Sequence, residues 1–195
     1  MSTPKPEKVY VRNALDNSKL NLKGTCPTDP NISASLSWSI YINNPRATVF
    51  FRYADDENHW ERISANMDAV TFYVFLTMLG NIVDALPGTV YQIANKNYVW
   101  TDNVRAEDPS VVSHLNIGKD EDGKIWISVT ARDKPNIPLY IGVNEWHTLH
   151  HTGDIPFTQA ETSQIYTQGY KTLLKILVAS ILNDEFTDTT QHKLN

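Results

Sequence analysis

Two stretches, one in each half of the chain, alternate apolar and polar side chains without a break. In the first, Leu36, Trp38, Ile40 and Ile42 are separated by Ser37, Ser39 and Tyr41. In the second, Ile125, Ile127, Val129 and Ala131 are separated by Trp126, Ser128 and Thr130. A period of two is that of a strand with one buried face, whereas a helix would scatter the same apolar residues around its circumference. Each stretch is joined by turn residues to a second extended run. The run 35–43 turns at Asn44-Pro45 into 46–53, and 111–119 turns at Asp120, Glu121, Asp122 and Gly123 into 124–132. Both halves are therefore expected to hold an antiparallel hairpin.

A further hairpin is expected before each of these. Residues 8–13 and 19–23 flank the turn residues Leu15, Asp16 and Asn17, and 89–94 and 98–101 flank Asn95, Lys96 and Asn97. A short extended piece follows each pair of hairpins, at 60–63 and 137–141. An apolar helix closes each half. The first spans about 66–86 and is stopped by Pro87-Gly88. The second spans about 158–183 and opens on Thr158 and Glu161, the spacing of a capping box, in which side chains satisfy orphan backbone N–H groups. The plan is ββββα, twice over: an α+β protein with antiparallel sheets and two long helices. It reads as a single domain, 1–184, built of units 8–86 and 89–184, with a flexible polar tail at 185–195. The first helix carries Val70, Phe72, Tyr73, Val74, Phe75, Leu76, Met78, Leu79, Ile82 and Val83. A helix apolar on every side must be covered on every side, which predicts a subunit interface and a homodimer or homotetramer.

Composition narrows the classes. The chain has 195 residues, of which 41% are apolar and 20% charged, ordinary values for a folded protein with a substantial core. Cys26 stands alone, so no internal disulfide forms and a reducing, cytoplasmic compartment is expected. The longest uncharged apolar run, 69–83, falls short of the ~18–20 residues that cross a bilayer, and the first residues have no apolar signal region. No membrane partner is expected. No G-x-S-x-G, phosphate-cradling glycine loop or H-E-x-x-H is present, so neither an enzyme nor a cofactor is expected. His147, His150 and His151, with Glu145 and Asp154 nearby, match no zinc spacing and read as a polar connector.

The net charge is −5, the wrong sign for a typical nucleic-acid binder. The distribution is more informative than the sum. The eight strands of the four expected hairpins hold nine Lys or Arg and no Asp or Glu, while the acids gather at 55–57, 107–108, 120–122 and 184–185. Period two places Lys8, Tyr10 and Arg12 on one face, and Arg46, Thr48, Phe50 and Arg52 on another. A third face takes Lys124, Trp126, Ser128, Thr130 and Arg132. Lys19, Lys23 and Trp100 add to the set. Cations for phosphates interleaved with flat rings for unstacked bases are what a single strand requires, each stacked base being worth about 1–3 kcal/mol. Solvent-facing sheets also carry Lys, Arg and cross-strand aromatics for stability alone. The expected function is therefore largely sequence-independent binding of single-stranded DNA. The alternatives are an RNA-binding protein, or a protein-interaction or structural module without nucleic acid.

Tandem ββββα units, in which hairpins 35–53 and 111–132 each precede a helix, resemble the Whirly, Pur-alpha and positive-cofactor-four superfamily of single-stranded-DNA-binding transcriptional regulators. The resemblance covers about 8–184. It implies two sheets held by the two helices, oligomerisation through helices, and a DNA strand lying along the sheet faces. The Lys-Gly-Lys-Ala-Ala-Leu motif of the plant members does not occur in the chain. A compact chain with one cysteine and this plan also looks like the phage-encoded Drc group. That likeness implies a transcription cofactor which holds melted promoter DNA and recruits a phage RNA polymerase.

Overall fold

The alternating stretch of the first half forms a strand because only extended backbone buries Ala34, Leu36 and Trp38 together while leaving the serines between them on the other face. In the computed structural model, which describes residues 15, 17–41, 44–54, 59–102, 104–142 and 147–184, an antiparallel sheet runs in the order β1 (Leu22–Thr25), β2 (Ile32–Tyr41), β3 (Asn44–Tyr53) and β4 (Trp60–Asn66). Ala47, Val49 and Phe51 of β3 and Ile63 and Ala65 of β4 complete its buried face. Helix α1 (Ala69–Asp84) follows. Asp68 caps it: the carboxylate accepts a hydrogen bond from the Thr71 backbone N–H at 2.7 Å, and that bond holds the carboxyl below its usual range.

The second half contains β5 (Val90–Asn97), a ribbon of β6 (Trp100–Thr101) and β7 (Val104–Arg105), then β8 (Ser110–Lys119), β9 (Ile125–Thr130) and β10 (Leu139–Tyr140). Strands β5, β8, β9 and β10 are neighbours in that order in a second antiparallel sheet. A short pair, β11 (His150–His151) and β12 (Ile155–Pro156), precedes helix α2 (Gln159–Asp184). The capping box forms as expected. The Glu161 N–H donates to Thr158 Oγ1 at 3.1 Å, and the Thr158 N–H donates to Glu161 Oε2 at 2.8 Å. The protein is α+β with antiparallel sheets and two helices. No helix among the described residues is long and apolar enough to cross a membrane.

Several elements differ from the sequence expectation. Residues 8–13 and the tail 185–195 lie outside the described residues. The stretch 19–23 is divided: Ser18–Leu20 form a 3-10 turn, held by the Asn17 carboxamide accepting from the Lys19 N–H at 3.0 Å, and the strand starts only at Leu22. The stretch 98–101 does not fold back on 89–94. Strand β5 continues to Asn97 and pairs with β8, because Tyr91 and Ile93 gain the apolar partners Ile117 and Leu115. Asn95-Lys96 is then absorbed as a shift of register rather than a turn. Helix α1 is not covered all round in the single chain: Phe72, Phe75, Leu76, Leu79 and Ile82 are buried, whereas Val70 and Val74 are exposed.

The buried faces of the two sheets meet each other and the helices. Gly24 lies so close to Leu139 and Pro138 that a Cβ there would come within 2.9 Å of the leucine side chain, which lets β1 approach β10. Ser113 Oγ donates to the Ser64 carbonyl at 2.9 Å, joining β8 to β4. Lys119 is buried, and its ammonium donates to the carbonyls of Val83 and Ala85 at 2.9 Å each. It thereby satisfies carbonyls that the end of α1 leaves unpaired, with the charge favoured at that end of the dipole. Lys119→Met should cost about 1–3 kcal/mol through the partly buried helix-end carbonyls it strands. In a chain of this size that lowers Tm by about 2–4 °C per kcal/mol, measurable by differential scanning calorimetry.

A second polar tie joins the first sheet to the loop after β9. Lys134 Nζ lies 2.6 Å from Glu61 Oε2, and the Tyr53 hydroxyl donates to the same oxygen at 3.2 Å. The Lys134 hydrogen bond holds the Glu61 carboxyl below its usual range. A depressed carboxylate contributes stability above its unfolded-state pKa, about 4.3, and the contribution is lost as pH falls through the lower folded value. Glu61→Gln should therefore flatten the acid limb of a Tm-against-pH curve below about pH 4. An unchanged limb would show that the ion pair contributes nothing.

Candidate nucleic-acid interface

Period two sends the remaining side chains of the first sheet outward, and strand register brings them into rows. Thr25, Ser33, Arg52 and Trp60 are cross-strand neighbours, as are Lys23, Ser35, Phe50 and Arg62. Next come Ser37, Thr48 and Ser64, then Ser39, Arg46 and Asn66. Four of these are cations, two are aromatic, and the rest are small hydroxyl or amide residues. None is an acid. Glu61 on β4 has the opposite parity and is turned toward Lys134. Among the described residues no carboxylate pairs with Lys23, Arg52 or Arg62.

The face is concave. Serines on β2 make a low floor between Lys23 on one side and the rings of β3 and β4 on the other. One groove of about 780 Å³ is lined by Lys23, Ser33, Ser35, Phe50, Arg52 and Trp60. A second, of about 600 Å³, is lined by Ser37, Ser39, Arg46, Thr48 and Arg62, and Phe50 borders both. Phe50 and Trp60 keep 36% and 60% of their surface exposed, with ring centroids 6.4 Å apart and planes tilted by 48°. Two flat apolar faces thus remain open to solvent beside Lys23, Arg52 and Arg62. Cross-strand Arg46 donates from Nε to Asn66 Oδ1, and the Thr48 and Ser64 hydroxyls lie 3.1 Å apart, so the far end of the face is pre-ordered.

The second sheet differs. The face opposite its apolar residues holds Gln92, Asn116, Ser128 and Thr130, of which Asn116 and Ser128 are buried, linked by hydrogen bonds from Gln92 to Asn116 at 2.8 Å and from Asn116 to both hydroxyls at 3.2 Å. Trp126 lies across Gly118, where any Cβ would collide with the indole, so the ring is half-buried against the sheet. Lys124 is paired with Asp122 at 3.4 Å and Asp120 at 3.8 Å, and these acids raise its pKa. Arg132 is exposed beside Asp133, 3.6 Å away. This face is close to neutral.

The expected contact residues therefore separate. Lys23, Arg46, Phe50 and Arg52 come together on the first sheet. Lys19 lies on the exposed 3-10 turn whose Ser18 borders the second groove. Lys124, Trp126 and Arg132 belong to the other sheet and are attenuated by acids or by packing. Trp100 is on neither four-stranded sheet but on the β6–β7 ribbon. Lys8, Tyr10 and Arg12 lie outside the described residues. Trp60 and Arg62, on the edge strand β4, fall within the expected extended piece 60–63 but were not among the expected contact residues. The alternation of Arg62, Ser64 and Asn66 against Ile63 and Ala65 was the available signal. His150 bonds to Thr148 Oγ1 at 3.1 Å, and His151 lies 3.6 Å from Glu161. No metal-binding group of His, Cys, Asp and Glu is found among the described residues. Compared with known proteins, the chain matches no family model, and no curated protein is significantly similar to it.

Proposed function

We propose that this protein binds single-stranded DNA, with little sequence preference, along the outer face of the first sheet. The observation that carries the reading is the groove in which Phe50 and Trp60 stand open among Lys23, Arg46, Arg52 and Arg62, with no acid among its described lining residues. Guanidinium and ammonium groups neutralise phosphates, and the rings stack on bases that a duplex would conceal. The hydroxyl floor offers hydrogen bonds to any base edge, which suits tolerance of sequence. In this reading the two ββββα halves form one Whirly-like domain and self-associate through the helices. The resemblance to the Drc group adds a transcription-cofactor role with a phage RNA polymerase as partner.

The test is fluorescence anisotropy of a labelled ~30-nucleotide single strand and its duplex, titrated over a range of salt. Four cations on single-stranded phosphates give a slope of log K against log salt of about −3, at roughly −0.7 per phosphate. Arg52→Glu with Arg62→Glu should flatten that slope and weaken the single-strand complex. Equal affinity for duplex, or no binding at low salt, would reject the reading. A matched RNA strand, if bound more tightly than DNA, would replace DNA with RNA as the ligand.

A further inference from the structure

Every described residue in the stretch 96–112 is exposed. The stretch is a two-stranded ribbon interrupted by a bend at Glu107 and Asp108. It leaves the second sheet at the Asn95/Lys96 register shift, pairs Lys96 with Val111 and Asn97 with Ser110, and continues through the Ala106 N–H to Val99 carbonyl bond at 2.8 Å. It then passes through the β6–β7 pairs to a turn at Asp102, whose φ of 50° is left-handed. Six residues of extended chain span at most roughly 20 Å. Its surface is unusual for a free ribbon. Trp100 is 64% and Val104 70% exposed, and Tyr98, Val99, Val111 and Val112 are also open. A lone two-stranded ribbon is marginal in water, and apolar side chains on both of its faces mark a surface that another molecule covers.

We propose that this ribbon seats in the first-sheet groove of a second copy of the chain. Charge selects the occupant. The ribbon carries Asp102, Glu107 and Asp108 against Lys96 and Arg105, and Arg105 is folded over the Tyr98 ring at 3.4 Å from its centroid. That net charge of −1 disfavours a phosphate backbone and complements Lys23, Arg46, Arg52 and Arg62, whose groove has no acid among its described lining residues. Size agrees as well: the 780 Å³ groove beside Phe50 and Trp60 is open and ring-lined, as an incoming indole such as Trp100 requires. A ribbon so placed occupies the surface assigned above to DNA, so self-association and strand binding compete. The inference uses only the groove's charge and shape, and holds or fails whether or not nucleic acid binds there.

Charge exchange tests it by sedimentation velocity of the full chain at low salt without nucleic acid. Glu107→Lys with Asp108→Lys puts cations opposite cations. Arg52→Glu with Arg62→Glu puts acids opposite acids. Each double variant alone should lose the species that ribbon-to-groove contacts add beyond any assembly through the helices. An equimolar mixture should regain it, because the basic ribbon of one then meets the acidic groove of the other. Sedimentation of either variant identical to wild type would overturn the proposal, as would a mixture that regains nothing.

Discussion

Replacing Phe50 and Trp60 together by alanine should weaken single-strand binding by at least about 30-fold. Two stacking positions at about 1–3 kcal/mol per base set that scale, with 1.4 kcal/mol per factor of ten. The rings are on the outer face, 6.4 Å apart; Trp60 is 60% exposed and Phe50 36%, so the double variant should lose some thermal stability, chiefly from Phe50, and binding is compared well below its Tm. The salt slope should also be nearly unaltered, since no phosphate contact is removed; affinity falls at every salt concentration by the same factor. This separates the aromatic contribution from that of Arg52 and Arg62, whose loss changes the slope itself. Trp126→Ala is the internal comparison. Its ring is also on an outer sheet face but is packed across Gly118 beside the acid-paired Lys124, and its removal should leave binding within about twofold, the effect of a surface change near ±0.5 kcal/mol. If Trp126→Ala were the more damaging variant, the strand would lie on the second sheet and the asymmetry between the two faces would have been misread.

That asymmetry marks the limit of what the chain alone discloses. Period-two patterning located β2, β3, β8 and β9 because one buried face forces alternation, and the capping box located the start of α2 because its two side chains act within one turn. Local signals were sufficient for these. They were insufficient for β5, where Asn95-Lys96-Asn97 has turn composition yet the strand continues, since Tyr91 and Ile93 gain apolar partners on β8. Lys119 and Lys124 are alike in composition and close in sequence. One is internal and ends a helix, and the other is neutralised by two acids of its own turn. Only the tertiary arrangement distinguishes either from Arg52. Counting cations by strand therefore overstated the second sheet. On the first sheet the same counting understated the face, since Trp60 and Arg62 stand on the extended piece 60–63, which follows the hairpins and was not counted with their strands.

Trp38→Ala should be the most destabilising single change of those considered. The side chain is fully buried, its ring edge-on to Phe72 at 5.9 Å and tilted on Phe75 at 5.2 Å. Its indole N–H donates to the Tyr170 hydroxyl at 2.6 Å, which in turn donates to the Leu20 carbonyl at 2.9 Å. One residue thus ties β2 to both helices and to the turn before β1, and burial pushes the Tyr170 hydroxyl far above its usual pKa, so it remains a neutral donor. Truncation of a buried Trp costs about 3–5 kcal/mol, or a fall in Tm of about 6–20 °C at 2–4 °C per kcal/mol. Trp38→Phe keeps one ring but deletes the donor and leaves a smaller cavity, and should cost about 0.5–1.5 kcal/mol for the hydrogen bond plus a cavity contribution, still less than Trp38→Ala. The pair also bears on the site. Ser37 and Ser39, on either side of Trp38, form part of the groove floor, and a one-residue slip of β2 would exchange the faces. Well below the lowered Tm, Trp38→Phe should bind a single strand as the wild type does. If Trp38→Phe lost affinity while keeping its stability, the indole would be setting the register of the floor as well as filling the core.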